Sequence, residues 1–547
     1  MSTPQATSRT KKMTRYGEAT IALCMLGLCA WAVISGAQQA QGDITSGTTV
    51  TAMTQVLGRP TNSSISISVL SPNDQEVYAE YGTVSGKYTG KTNAQSMKAR
   101  VPVEVSINQL QPNTQYFYRL RHRTGISGEF VVGKEYSFQT QRPPGSQFVF
   151  AIQADAHPER LNRMFHPDLY WINMANVRQG RPDFYITLGD DFSIDTLNGM
   201  SGGLSPQAVA QVYINQRPFL GAEGAATPIF TVNGNHEQAA KYLLNGTANS
   251  PAVWAGKSRN TYFPQPTIGD GKFYTGDMEP VEHIGMLNDY YAWTWGDALF
   301  ISMDPYWHSD QVVDNALGVG PAAEGNAAVG ESAPAAAMGG GMAAGKDAAA
   351  GMEAAEGMAA GGKGARDIWE ITHGEAQYRW LEKTLRESKA KYKFIFAHHV
   401  LGTGRGGADM ADLGEWGGKS QQGVWEFDKK RPGWDLPIHQ LMVKYNVSAF
   451  FQGHDHLFVR QVKDGVVYQE LPTPADSNYG DGGNMNAYKT GDKLSAAGHL
   501  RVSVSPEVAR VDYVRAWMPK DLNDQRKQGE VAFSYEIKPE KVGAATK

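Results

Sequence analysis

The chain reads as an α/β protein, a sheet pair flanked by helices, preceded by a separate all-β sandwich. Three observations predict this. Five short runs rich in aromatic and β-branched residues end in polar clusters, the stretch from Thr48 to Thr140 alternates with a two-residue period, and Glu375–Leu385 repeats apolar residues at helical spacing. With 547 residues, of which 41% are hydrophobic, the chain can fill two sizeable cores. A formal charge of −4 gives no general attraction to nucleic acid or to an anionic membrane, so no nucleic-acid partner is indicated.

At the N-terminus, Arg9, Lys11, Lys12 and Arg15 precede an apolar run from Ala19 to Ala37, and Ser35-Gly36-Ala37 offers a small-residue cleavage site. Residues 1–42 therefore read as an export signal, or as a membrane anchor if uncleaved, since the run is just long enough to span a bilayer. The expected location is periplasmic or extracellular. Both cysteines, Cys24 and Cys29, lie inside the run, so a cleaved chain has no thiol and no disulfide.

The β unit is expected over residues 45–142. Ile65, Ile67 and Val69 alternate on one strand, and Val101, Val103, Val105 and Ile107 on another, as a half-exposed antiparallel sheet requires. Leu110–Leu120, with Tyr116 and Tyr118, resembles the corner of a fibronectin type III or immunoglobulin-like sandwich, where a Tyr hydroxyl pins the loop. Such a unit could shape access to a neighbouring site, or serve as a spacer or surface module. Pro143-Pro144-Gly145 marks the boundary.

Residues 146–540 carry the five apolar runs: Phe148–Ile152, Phe184–Leu188, Pro228–Val232, Phe394–Ala397 and Val447–Phe451. Near-continuous apolar character fits strands covered on both faces. The runs are followed by Asp155-Ala156-His157, Gly189-Asp190-Asp191, Gly234-Asn235-His236-Glu237, His398-His399 and Gly453-His454-Asp455-His456. Polar residues that begin where the strands stop predict a site along the carboxyl rim of a sheet. Carboxylate, imidazole and amide donors without thiolate suit Zn, Mn or Fe, and exclude a cysteine-type zinc site. Gathering those groups in a partly dry pocket would be costly without a cation.

Between the strand Leu299–Asp304 and the helix Glu375–Leu385, residues 316–365 are Ala, Gly and Met with scattered Glu, and lack aromatic residues. Such a segment buries too little apolar surface to offset ordering entropy, and reads as a flexible insertion into one β-α step. Without interleaved His or Cys its methionines do not form a copper motif. Arg405, in Gly402–Gly407, is either a fork for an anion or a solvated loop residue. Trp416, Trp425 and Trp434 either wall a pocket or pack their loop down, and packing is the simpler reading. Leu500–Val504 and Ala509–Val514 read as a closing hairpin that completes a second sheet.

As an ordered set, D-x-H, G-D, G-N-H-E, H-H and G-H-x-H resembles the calcineurin-like metallophosphoesterase superfamily, over about Phe148 to Asp512. The resemblance implies a double-sheet sandwich flanked by helices and a pair of divalent or trivalent ions (Fe, Mn or Zn). Asp155, His157 and His456 would bind one ion, Asn235, His398 and His454 the other, and Asp190 would bridge them. Val400 stands where relatives usually have Pro, which leaves His399 as a rival to His398; His399 is otherwise expected to face substrate or groups that support the ligands. His236 is the implied proton donor or phosphoryl contact, with Glu237 or Asp191 holding its tautomer.

Two departures stand out. Purple acid phosphatases, which have a similar sandwich in the plant type, carry Tyr where this chain has Ser193 and Gly where it has His157, so no tyrosinate-iron colour is expected. Protein Ser/Thr phosphatases place an Asp at the Ser193 position to orient the catalytic His; here Asp191 is either a substitute or a turn residue. The implied activity is hydrolysis of phosphomonoesters or phosphodiesters of a small-molecule substrate by metal-activated hydroxide. The alternatives are a nucleotide- or sugar-specific phosphodiesterase and a noncatalytic envelope binding protein with a structural metal domain.

Overall fold

The computed structural model describes residues 50–539 apart from 51, 126, 200–202, 270–272, 314–366 and 401–404. The expected export segment and the Ala/Gly/Met insertion lie outside the described residues. Among those described, no helix is long and apolar enough to cross a membrane.

Two large sheets face one another. One has six strands in the order Ile229–Thr231, Phe184–Thr187, Phe148–Gln153, Gly498–Val504, Ala509–Arg515 and Val531–Ile537. The first three are parallel and the rest antiparallel. The other has eight strands, with Ala298–Ser302, Tyr392–Phe396, Ala449–Gln452 and Val466–Glu470 forming its parallel centre. Phe150, Ile152, Phe184 and Ile186 from the first interleave with Trp293, Phe300, Phe394 and Phe451 from the second in one buried cluster. Phe150 alone touches the rings of Phe184, Phe300 and Phe394 within 5.6 Å of its centroid.

Helices cover the outer faces. Pro167–Gln179, Pro206–Gly224 and Pro251–Tyr262 pack on Ala151, Tyr185 and Ile229, while Glu375–Glu387 and Ile438–Lys444 pack on Leu299, Ile395 and Phe450. The three helices of the first group open in the same way, with a His or Ser side chain accepting a backbone N–H just before a proline. The five motif strands thus divide, three in one sheet and two in the other, instead of sharing a single rim. Because each is buried on both faces, period alone could not assign it to a sheet. The hairpin at 498–515 also differs from expectation: Leu500 pairs with Ile152 and Val502 with Phe150, so it extends the sheet of the first three motif strands.

The N-terminal strands form the expected sandwich. Thr54–Gly58, Ser64–Leu70 and Val103–Asn108 make one sheet, and Gln75–Gly82, Gln115–Thr124 and Val131–Gln139 the body of the other. Ile65, Ile67, Val105, Tyr118 and Phe138 share its core. The Tyr116 hydroxyl accepts the backbone N–H of Gln111 at 2.9 Å, which pins the corner as the sequence predicts.

This unit is docked on the helical flank. Arg217, fully buried in Pro206–Gly224, donates to Thr54 Oγ1 (2.8 Å), Ser68 Oγ (3.1 Å), Ser68 O (3.0 Å) and Tyr262 O. Burial pulls its guanidinium down to about 9, so it remains charged at neutral pH. The Tyr118 hydroxyl donates to Ala225 O at 2.7 Å, and Arg142 of the linker holds Asp183 through two nitrogens. Arg217→Met removes the donors and leaves buried oxygens unpaired. It is expected to cost about 2–4 kcal/mol in urea unfolding, and a loss below about 0.5 kcal/mol would show that the docking does not depend on this residue.

Candidate metal centre

All five motifs meet at the carboxyl ends of their strands. The turns there are tight enough to force non-glycine residues into left-handed backbone: Asp155 (φ 59), His157 (φ 45), Asp190 (φ 57), His454 (φ 80) and His456 (φ 67). Such conformations are disfavoured for residues with a β-carbon, and they persist where the surroundings over-determine them. The adjoining glycines give the loops room. A β-carbon at Gly453 would fall 2.6 Å from Asp155 Oδ2, and one at Gly234 would overlap Asp190 Oδ1.

Glu237 ties two of these loops together. Its carboxylate accepts the backbone N–H groups of Asp190 (3.0 Å), Asp191 (2.9 Å), Phe192 (3.0 Å) and Gly234 (2.6 Å). A third loop is fixed by Asp155, whose two oxygens accept the N–H of His454 at 3.0 and 2.9 Å. Beneath it, Asp455 accepts from Arg405 Nη1 (2.8 Å), Gly406 N (3.2 Å) and the Tyr488 hydroxyl (2.6 Å), while its own N–H donates to Glu470 (3.0 Å).

The donors fall into two groups that meet at Asp155 and Asp190. Asp155, His157 and His456 bring one ligand atom each within 4.8 Å of one another, and so do Asp155, Asp190 and His398. His157 Nε2 lies 3.1 Å from His456 Nε2 and 3.7 Å from Asp190 Oδ2. On the other side, His398 Nε2 is 3.0 Å from Asp190 Oδ2, and His454 Nδ1 is 3.0 Å from Asn235 Oδ1 and 3.3 Å from His398 Nε2. The structure therefore brings together Asp155, His157, Asp190, Asn235, His398, His454 and His456.

These donors fit a pair of cations. Asp190 Oδ2 is buried at the junction of the two groups, 3.0 Å from His398 Nε2 and 3.7 Å from His157 Nε2. Burial pulls His157 down to about 4, with Arg160 reinforcing it, and pulls His454 and His456 well below the usual imidazole range. Neutral imidazoles suit a metal ion, and His398 is the exception: burial opposes its charge, but Asp190, with Asp155 and Glu237, raises it to about 10. Burial raises Asp155, in part against the pull of His398, whereas at Asp190 the charges of His398 and His236 overcome burial and hold the carboxyl well down.

His398 Nδ1 lies 2.9 Å from Leu188 O, a backbone anchor that aims Nε2 at Asp190. His399 is buried and stacks on His454, its ring centroid 4.1 Å away, with Nδ1 3.3 Å from the Tyr306 hydroxyl. It shares a donor group with His398 and His454, and its packing supports the ring of His454.

Three expectations are corrected. Asp191 does not face the centre: Gln153 Nε2 donates to it at 2.8 Å, and burial followed by repulsion from Glu237 and Asp155 raises it well above the usual carboxylate range. Neither Asp191 nor Glu237 holds His236. That partner is Asp195, whose Oδ2 lies 2.7 Å from His236 Nδ1, at the start of the 3₁₀ turn Asp195–Gly199. Arg405 commits Nη1 to Asp455 and to His454 O (3.1 Å), so that nitrogen buttresses the last motif instead of turning to the centre. The tryptophans behave as packing: Trp416 is buried and donates to the Tyr468 hydroxyl, Trp434 stacks on Tyr378 at 3.8 Å, and the exposed Trp425 donates to Asp428.

Sequence reasoning missed Asp195, which stands two positions beyond the one inspected for that role. It also missed Glu159, whose Oε1 lies 2.9 Å from His157 Nδ1, and Arg160, whose Nη2 is 3.3 Å from His236 Nε2. A charged pair just after D-x-H was the available signal.

Among solved structures, the purple acid phosphatase PPD1 from yellow lupin (Lupinus luteus) seeds superposes with a TM-score of 0.52 at 16% identity, covering 89% of this chain and 74% of that one. PhoD superposes with a TM-score of 0.53 at 15% identity, covering 89% and 88%. The chain has a phosphoesterase fold. No protein-family model and no curated protein matches the sequence, so the relationship is carried by the fold. Asp190→Asn is expected to lower bound metal from two ions per chain to one or fewer by elemental analysis, whereas His236→Ala leaves the content unchanged; full occupancy in Asp190→Asn would remove it from the bridging position.

Proposed function

We propose that the protein is an exported, metal-dependent phosphoric ester hydrolase. The observation that carries this reading is the pairing of two donor groups through Asp190 with an imidazole, His236, held by Asp195 on their open side. A purely structural metal site has no use for that additional, partly exposed imidazole. Two ions held by Asp155, His157 and His456 and by Asn235, His398 and His454 would supply Lewis acidity and an acidified water.

The chain's own groups account for the rest. His236 Nε2 lies 3.8 Å from Asp190 Oδ2, facing the centre, while its backbone N–H donates to Asp190 Oδ1 at 2.9 Å. Ring and bridging carboxylate are thus fixed to one another. With Nδ1 directed at Asp195, Nε2 is the atom that can contact a phosphoryl oxygen or deliver a proton to the leaving oxygen. Asp195 sets the tautomer and orientation of that ring. Burial opposes a charge on His236, but Asp190 and Asp195 outweigh it.

Export is supported by the basic residues and apolar run at 1–42. The substrate is a phosphorylated small molecule.

Assay of the purified protein with an aryl phosphate monoester and an aryl phosphodiester, with added Mn or Zn and with chelator, tests the reading. Metal-dependent hydrolysis of at least one is expected, and inactivity toward both under every metal condition would overturn it. His236→Ala is expected to lower kcat by about 10²–10⁴-fold with metal content retained, and Asp195→Ala by about 10-fold or more.

A further inference from the structure

Arg160 reaches the open side of the centre by a route of its own. It closes the turn after Asp155-Ala156-His157, its N–H donating to His157 O at 2.9 Å, and its carbonyl accepts the N–H groups of Arg163, Met164 and Phe165 at 3.0, 3.1 and 3.2 Å. The backbone is thus held on both sides. From there the guanidinium places Nη2 3.3 Å from His236 Nε2, Nε 3.3 Å from Glu159 Oε1, and Nη1 3.2 Å from Met164 Sδ. The side chain is 27% exposed.

These partners do not satisfy the guanidinium. It carries five N–H donors and cannot accept, while a thioether is a weak acceptor. Glu159 is shared with His157 Nδ1 at 2.9 Å, and His236 Nδ1 is already directed at Asp195. Arg160 Nη2 and His236 Nε2 therefore converge on one place. A negatively charged oxygen there would be met by both.

We propose that Arg160 is a substrate-contacting specificity residue that selects a terminal, dianionic phosphoryl group. The proposal rests on the hydrolase reading and names its substrate class as phosphomonoesters. A terminal phosphoryl carries close to two charges at neutral pH and three oxygens able to accept, so two can face the metal-binding groups while the third meets Arg160 and His236. A diester has one charge and two such oxygens, which leaves none for Arg160 once both face the metal-binding groups. The planar fork of Arg suits paired phosphoryl oxygens better than a point charge does.

The test compares Arg160→Gln with wild type, both loaded with Mn, on an aryl phosphate monoester, an aryl phosphodiester and inorganic phosphate. Expected are a loss of about 100-fold in kcat/KM for the monoester, a change of no more than about 3-fold for the diester, and phosphate binding weakened about 30-fold by calorimetry. Arg160→Lys, which retains charge without the fork, is expected to fall between, and carries the comparison should the glutamine variant not fold. Equal losses on both esters, or unchanged phosphate affinity, would overturn the assignment. If wild type hydrolyses neither ester, the hydrolase reading fails, and the phosphate titration alone still decides whether Arg160 binds a phosphoryl dianion.

Discussion

The cost of burying anionic oxygen where the carboxyl ends of two sheets meet governs this structure. Asp155, Asp190, Glu237 and Glu470 are each no more than 1% exposed, the first three in the motif loops and Glu470 at the end of the strand Val466–Glu470. Carboxylates so placed repel one another and lose their hydration, and a folded chain tolerates this only if each finds donors or a cation. Glu237 is met by four backbone N–H groups, and Glu470 by Gln452 Nε2 and the N–H of Asp455. Asp155 receives one N–H in both oxygens, and Asp190 one N–H in Oδ1. The pair with the fewest donors is the pair that faces the gathered imidazoles. Cation binding is thus what remains after the other carboxylates have been satisfied by the backbone.

The same carboxylates explain how strained turns survive. Left-handed backbone at Asp155, His157, Asp190, His454 and His456 must be held by contacts that outweigh its cost, of order 1–3 kcal/mol at each position. Glu237 binds the Asp190 turn to the Gly234 turn, Asp155 binds the His454 turn to its own, and the Asp455 network with Arg405 and Tyr488 secures that turn from beneath. The Asp190 turn and the His454 turn are each held by a carboxylate that follows another strand. Because three strands belong to one sheet and two to the other, the aromatic layer between the sheets, with Phe150 at its middle, fixes the distance between the two halves of the centre.

Much of this was legible in the sequence, and what was not has definite causes. The five strand-and-polar-cluster units carry their own record, since an apolar run must end where the donors begin, and all seven proposed ligands converge. The sandwich was legible through its two-residue period and through Tyr116. The assignment of strands to sheets was not, because a strand buried on both faces has no polar side to show which neighbour it meets. Nor were the supporting roles of Glu237, Asp191 and Arg405, which depend on where a side chain turns within its loop. Glu237 and Asp191 turn inward to N–H groups and to Gln153, and Arg405 turns to Asp455.

The case of Asp195 shows why position in sequence is a poor guide to such roles. An acid three residues after Asp190 would reach the His236 imidazole from a short turn, and this chain has Ser193 there. Ser193 Oγ instead lies 3.4 Å from His157 Nδ1, on the other side of the centre. The chain then continues outward, with Ile194 N donating to His236 O at 2.8 Å, and that bond runs the 190–195 segment alongside the His236 loop. Two residues further on, the side chain of Asp195 reaches Nδ1. What the chemistry constrains is an anionic oxygen within hydrogen-bond distance of Nδ1, and the Ile194–His236 backbone pairing satisfies that constraint without a fixed spacing.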